Sequence, residues 1–287
     1  MSDTGKSASG VEHERGNHIA LISGGMDSAV AAHVAIEDGP ADLLVYLDTG
    51  TGLDENHEYV ERYADELGVM LITARTPESY EDRVIEDGFP GPSRHSIMYR
   101  SLKERQIGRL ATLSGGRGNP SDLHLWTGVR SDESERRMEH VEPESDGPRW
   151  VWHAPIHDWS KADCREYLDE HDLPRNPLWD TLGRSGDCFC GCFGSPEEKL
   201  DLRAVGCEYQ AEWIEDIEER VDLDQKQERE TWAWGAFDES ERARERAEND
   251  DAQMLLCSTC GTDFPTATDG GKDRSVATGT DRSEGDR

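Results

Sequence analysis

From about residue 18 to residue 205, short apolar runs alternate with stretches whose apolar positions recur every three or four residues. Five runs predict buried strands, at 18–22, 43–47, 69–72, 123–127 and 150–153. The segments between them predict helices. Residues 28–38 have helical composition and stop at Gly39-Pro40, and 54–67 place Val60, Tyr63, Ala64 and Leu67 on one face before Gly68. A third helical stretch covers 96–113, Ser160 caps a helix running to about 171, and Ser195-Pro-Glu-Glu198 has the form of a capping box. Strand–helix alternation of this kind predicts an α/β fold: a doubly wound, mostly parallel five-stranded sheet with right-handed crossovers. Residues 18–205 read as that domain, and 206–262 as a small helical, cysteine-bearing C-terminal segment in which Trp232 and Trp234 cover the helices. Residues 1–17 and 263–287 are rich in Gly, Ser, Thr and Asp and read as disordered tails.

Charge changes the picture of the surface. The 287 residues carry 62 acidic against 31 basic side chains, a formal charge of −31. Of the basic residues 25 are Arg and six are Lys. An acid-rich, Lys-poor surface on an ordinary core reads as halophilic, since charge repulsion is screened within about 3 Å at 1 M salt. In dilute buffer the same charge repels DNA and anionic membranes. No window approaches the roughly 18 consecutive apolar residues of a membrane span, and residues 1–17 contain no apolar stretch resembling a signal peptide. A cytoplasmic protein with no membrane partner is the expectation; the oligomeric state is not readable.

Ser23-Gly-Gly-Met-Asp-Ser28 lies between the first strand and the first helix. A glycine-rich turn there is a phosphate cradle, because backbone N–H groups converge at the positive end of a helix. It is neither a Walker A loop, lacking Gly-Lys-Ser/Thr, nor a Gly-x-Gly-x-x-Gly dinucleotide fingerprint. The motif resembles the pyrophosphate-binding loop of the ATP pyrophosphatase (adenine nucleotide alpha-hydrolase-like) superfamily. Further segments resemble its phosphoadenosine-phosphosulfate (PAPS) reductase family, in the same order. They are Leu47-Asp-Thr-Gly50, Thr127-Gly-Val-Arg-Ser-Asp-Glu-Ser-Glu-Arg136, Ala154-Pro-Ile-His-Asp-Trp-Ser160, Leu173-Pro-Arg-Asn-Pro-Leu178 and the Cys-rich turn after Ser185-Gly-Asp187.

The resemblance implies an enzyme that binds ATP or a PAPS-like adenine nucleotide, with phosphates on Ser23, Gly24, Gly25, Asp27 and Ser28. Asp27 serves loop geometry or Mg²⁺, since a bare carboxylate does not favour a polyphosphate. Thr49 and Gly128 fall near the nucleotide, while Asp48 and Arg130 are the candidate catalytic residues, Arg130 as a fork onto phosphate or sulfate oxygens. Arg136 and Arg137 either add to that anion site or pair with Glu133 and Glu135. Arg100 and Lys103, one helical turn apart, reach an anion together under the resemblance; read alone they are a surface pair.

Seven cysteines are present, five of them in Cys188-Phe-Cys190-Gly-Cys192 and Cys257-Ser-Thr-Cys260. Close pairs of this kind read as metal or redox ligands before disulfides. Cys188, Cys190 (or Cys192), Cys257 and Cys260 make a four-ligand set. Resemblance to iron–sulfur members of the superfamily favours a [4Fe–4S] cluster; Zn²⁺ and reduced, unligated thiols are the alternatives. Cys164 has the spacing of a core residue with Tyr167 and Leu168. The ten histidines, of which His153 and His157 lie nearest the motifs, read as hydrogen-bonded structural residues. A reductase proper of this family carries a reactive Cys in Glu-Cys-Gly-x-His, and the chain has no such match: Cys207-Glu208 is reversed. Adenylation-type or sulfur-transfer chemistry, with a nucleic-acid-modification or electron-donor partner, is therefore the first expectation. A PAPS or adenylyl-sulfate reductase and a non-catalytic nucleotide-binding module are the rivals.

Overall fold

The computed structural model describes residues 17–91, 94–113, 123–131, 142–147, 149–221 and Trp234. Arg136, Arg137, Trp232, Cys257, Cys260 and both expected tails lie outside the described residues, save Asn17. Among the described residues no helix is long and apolar enough to cross a membrane.

Strands β1 (Asn17–Leu21), β2 (Leu43–Asp48), β3 (Met70–Arg75), β4 (Leu123–Trp126), β5 (Glu144–Asp146) and β6 (Val151–His153) form one sheet in the order β3-β2-β1-β4-β6-β5. All neighbours are parallel except β5, which runs antiparallel to β6. The sheet therefore has six strands rather than five. The additional strand is a polar edge (Glu-Ser-Asp) with no apolar alternation to announce it. Strand addition proceeds outward through β2 and β3, then restarts on the other side of β1 with β4. This reversal makes the end of β1 the topological switch point, where open α/β sheets bind ligands.

Alternation divides β1 and β2 between two cores. Ala20, Ile22, Leu44 and Tyr46 pack with α1 (Met26–Glu37) and α2 (Asp54–Leu67). Ile19, Leu21, Val45 and Leu47 pack with Ile107 and Ala111 on the opposite face. α2 ends at Gly68 with φ +65°, the left-handed cap that its position promised. The expected helix at 96–113 is present in three parts: α4 (His95–Tyr99), a π-helical turn (Arg100–Glu104) and α5 (Arg105–Leu113). α3 (Tyr80–Asp87) lies before them.

α6 (Lys161–Glu170) begins with the Ser160–Asp163 capping box and buries Cys164 beside Leu168, as a core residue. After the short α7 (Leu178–Thr181) come α8 (Pro196–Ala204) and α9 (Glu208–Arg220). Ser195 makes no side-chain cap bond to α8, contrary to the capping-box reading. Glu198, its expected partner, is turned to Arg184 and to the indole N–H of Trp234. α3, α8, α9, the cysteine turn and Trp234 share a third core.

Candidate functional site

The turn after β1 is held from behind. Ser28 Oγ accepts from the Ser23 amide (3.1 Å) and donates to the Gly25 carbonyl (2.9 Å), closing the turn on itself. Asn56 Nδ2 donates to the Ser23 carbonyl (3.1 Å), while Asn176 Nδ2 (3.0 Å) and Trp179 Nε1 (2.8 Å) both donate to the Gly24 carbonyl. Asn176 also donates to Asn56 Oδ1 at 2.9 Å, so the two buried amides support each other. Gly24 has φ +83°, and a Cβ there would meet Asn56 Oδ1 at 1.9 Å. Gly25 caps α1 in an extended conformation (φ −75°, ψ 153°) with no side-chain cap bond. The first intrahelical bond of α1 is from the Ala29 amide to the Gly25 carbonyl, so the amides of Met26, Asp27 and Ser28 have no intrahelical acceptor. With carbonyls tied back and amides at an uncapped helix start, the turn suits an anion.

β4 brings two further residues to the turn. Gly128 packs on the first turn of α1 so closely that a Cβ would lie 2.5 Å from the Ser28 nitrogen. Arg130 Nε lies 3.1 Å from Asp27 Oδ2 in a buried ion pair, and Arg130 Nη1 donates weakly to the Trp159 carbonyl (3.4 Å). Asp27 Oδ1 is buried without a hydrogen-bond partner. Cys164 lies against this pair; burial, then the Asp27 charge, push its thiol up to about 12. The Asp27 carboxylate is thus charge-compensated by Arg130. Among the described residues the one group of three ligating side chains that meets within 4.8 Å is a histidine cluster in the sheet, so the turn offers no ready-made protein cage for Mg²⁺.

Asp48 and Thr49 sit at the neighbouring end of β2 and are engaged differently. Asp48 Oδ2 pairs with Arg75 Nε (2.5 Å), its Oδ1 accepts from the Gly50 amide (2.8 Å), and His57 Nε2 is 3.6 Å from Oδ1. A cavity of about 430 Å³ opens here, lined by Asp48, Thr49, His57, Arg75 and Tyr80 among others. The Thr49 hydroxyl is buried against Thr51 Oγ1 (2.9 Å) and donates to the Asp187 carbonyl (3.2 Å), fastening the 186–189 segment to the sheet.

Arg100 and Lys103 are not brought together. The π-helical turn sends Arg100 outward, 63% exposed and paired with Glu104 at 3.6 Å, and Lys103 inward. Lys103 Nζ meets Asp187 Oδ2 at 2.5 Å, with side chains 6% and 1% exposed. Burial opposes the Lys103 charge, but Asp187 and the neighbouring thiols outweigh it and raise its pKa. Sequence reasoning missed this pair and the Asn56–Asn176–Trp179 set. One signal was available: Asn56 stands four residues before Val60, an amide on the apolar stripe of α2.

Cys188, Cys190 and Cys192 are all buried and unbridged in the third core. The hydrogen bond to Cys190, then burial, raise the Cys188 pKa, while Lys103 works in the other direction. Tyr80 donates to the Cys190 carbonyl (2.7 Å), and the Trp234 ring lies over Gly191 and Gly194. Burial, then Glu55, push Cys207 up to about 12.

A family model described as the phosphoadenosine phosphosulfate reductase domain matches residues 17–212. A phosphoadenosine 5′-phosphosulfate reductase of Alkalilimnicola ehrlichii is 29% identical over 171 residues, 57% of this chain and 65% of that protein. One of Xanthomonas axonopodis pv. citri is 27% identical over 177 residues, 59% of this chain and 69% of that protein. The chain thus spans about two thirds of the length of these relatives. The crystal structure of PAPS reductase from Candida auris in a phosphate complex covers 58% of this chain and 78% of its own, at 18% identity and TM-score 0.42.

Proposed function

Since the chain belongs to the phosphoadenosine phosphosulfate reductase family, we propose that its 23–28 turn binds the phosphates of an adenine nucleotide and that the protein is an enzyme acting on that nucleotide. The observation that carries this reading is the uncapped start of α1 beneath a turn whose carbonyls are already occupied. The residues fit the group: converging amides bind phosphate, and Arg130 stands at the switch point to stabilise negative charge developing there. Gly25 lies at the helix cap in a backbone conformation open to any residue, so Gly25→Ala tests close approach of phosphate with little strain. Its expected outcome is loss of nucleotide binding in a folded protein. Arg130→Ala is expected to lower turnover more than affinity, and Arg130→Lys to rescue in part, because a point charge does not reproduce the fork.

Adenylation-type or sulfur-transfer chemistry is the reaction class we favour, because Cys207-Glu208 does not reproduce the reactive Glu-Cys-Gly-x-His of the family's reductases. The names of the relatives favour the second reading, reduction of PAPS. Products decide between them. AMP and pyrophosphate from ATP with an acceptor support the first; adenosine 3′,5′-bisphosphate and sulfite from PAPS with a reductant support the second. Bound but unaltered nucleotide identifies a binding module, and binding of neither ATP nor PAPS overturns the proposal.

Cys188 and Cys190 would supply two thiolates to a metal centre completed by Cys257 and Cys260. A [4Fe–4S] cluster bound there supplies electron transfer, a Zn²⁺ ion cross-linking alone. Iron, sulfide and zinc analysis of anaerobic protein, with Cys190→Ser as control, separates the two and free thiols. The formal charge of −31 is read as suited to molar salt; melting temperature is expected to climb between 0.1 and 3 M KCl as the Debye length shortens and self-repulsion is screened.

A further inference from the structure

A second group of ligating side chains lies in the sheet itself. His18 of β1 and His124 of β4 are direct register partners, and His153 ends β6, the next strand. Alternation places all three on one face. One ring nitrogen from each lies within 4.8 Å of the other two, and His124 Nδ1 is 2.8 Å from His153 Nε2.

The rings are already hydrogen-bonded: Trp126 Nε1 donates to His18 Nδ1 at 3.3 Å, and His124 Nδ1 and His153 Nε2 share one proton, which a bound ion would displace. His153 Nδ1 lies 3.1 Å from the Glu144 carboxylate of β5, a position from which that carboxylate would favour the proton on Nδ1 once Nε2 is bound to an ion. A carboxylate behind an imidazole is the outer-shell arrangement of metal-bound histidines. Trp126 stacks on His153 with centroids 4.5 Å apart at 15°, fixing that ring. His18 and His124 are themselves stacked, 4.2 Å apart at 20°. One ion reaches both only when these rings splay, a rotation about χ2, which is a broad torsion in histidine.

We propose that His18, His124 and His153 bind one divalent transition-metal ion, with Zn²⁺ matched best by three imidazoles and an open fourth position. The ion clamps β1, β4 and β6, three strands far apart in sequence. Two of them flank the switch point: β1 leads into the 23–28 turn and β4 into Gly128 and Arg130. On a chain of charge −31, divalent cations collect on carboxylates nonspecifically, so the donor set is the signature to measure, not affinity alone.

The test uses the full chain, stripped with chelator, reduced, in molar KCl, and titrated with Co²⁺. The expected result is a ligand-field spectrum of nitrogen-bound, four-coordinate cobalt without thiolate-to-metal charge transfer, displaced by Zn²⁺. It is expected to disappear in His124→Ala and His153→Gln and to persist in Cys188→Ser/Cys190→Ser. Glu144→Gln, on the edge strand, keeps all three ligands and is expected to weaken cobalt binding about 10- to 100-fold. Zn²⁺ is expected to raise the melting temperature of wild type and not of His153→Gln. A spectrum dominated by thiolate charge transfer and lost only in the cysteine variant overturns the proposal, as does a folded wild type showing no ligand-field bands at saturating Co²⁺.

Discussion

The turns at 23–28 and 186–192 both contain glycines and both contact the strand ends of the sheet, yet they are held in opposite ways. The first is gripped through its backbone: side chains from α2 and from the 176–179 segment take its carbonyls, and the amides of Met26, Asp27 and Ser28 open α1 with no intrahelical acceptor. The second is gripped through its side chains. Asp187 is neutralised by buried Lys103, three thiols sit in an apolar core, and Trp234 lies across Gly191 and Gly194. A turn whose carbonyls are occupied has donors to offer a ligand. A turn whose polar atoms are consumed internally serves as a wall, and a thiol there changes state only when the wall opens or a metal takes its place.

The sharpest way to break this contrast is Lys103→Met. It leaves Asp187 charged and uncompensated in the interior, and we expect a loss of about 4 kcal/mol in denaturant melts. Lys103→Met combined with Asp187→Leu is expected to recover most of it, and nucleotide binding by the folded protein is expected to be the same in both variants if the two turns are independent. Gly128→Ala strikes the first turn instead. Its Cβ would overlap the Asp27 and Ser28 backbone, so a loss of about 2–3 kcal/mol is expected together with loss of nucleotide binding.

Acid acts on the sheet beneath both turns. Burial, then His124, lower the His153 pKa from 6.5 to about 4, so the fold favours the neutral ring. In metal-free protein the associated stability is complete above pH 6.5 and is lost as pH falls toward 4. The loss is on the order of 2 kcal/mol for a half-buried ring and absent in His153→Gln. Arg100→Ala is the smallest expected change. An exposed i,i+4 pair contributes less than about 0.5 kcal/mol, and nucleotide affinity unaltered in this variant supports the outward placement of Arg100.

Local signals carried much of the fold. Strand positions along β1, β2, β4 and β6, the helix 54–67 with its glycine cap, and the glycine-rich turn at a strand–helix junction all rest on residues close in sequence. The failures share a cause. The edge strand β5 is polar and three residues long, the Ser195 cap is undone by a partner 36 residues beyond Glu198, and Lys103 finds Asp187 across 84 residues. At the turn, sequence reasoning found the glycines and Arg130 but not Asn176 holding Gly24 across 152 residues. His18 and His124 meet through cross-strand register across 106 residues, which leaves no spacing along the chain to read.

Trp234 gives the three cores different schedules during synthesis. The two cores on the sheet faces are complete with residues up to Trp179, whereas the third needs Leu53, Phe89, the cysteine turn and Trp234 together. The sheet with its 23–28 turn is therefore able to fold on the ribosome while the cysteine turn still waits for the indole that covers it. Until residue 234 is made, Cys188, Cys190 and Cys192 lack the ring that covers Gly191 and Gly194, so their burial is the last step of the fold rather than the first.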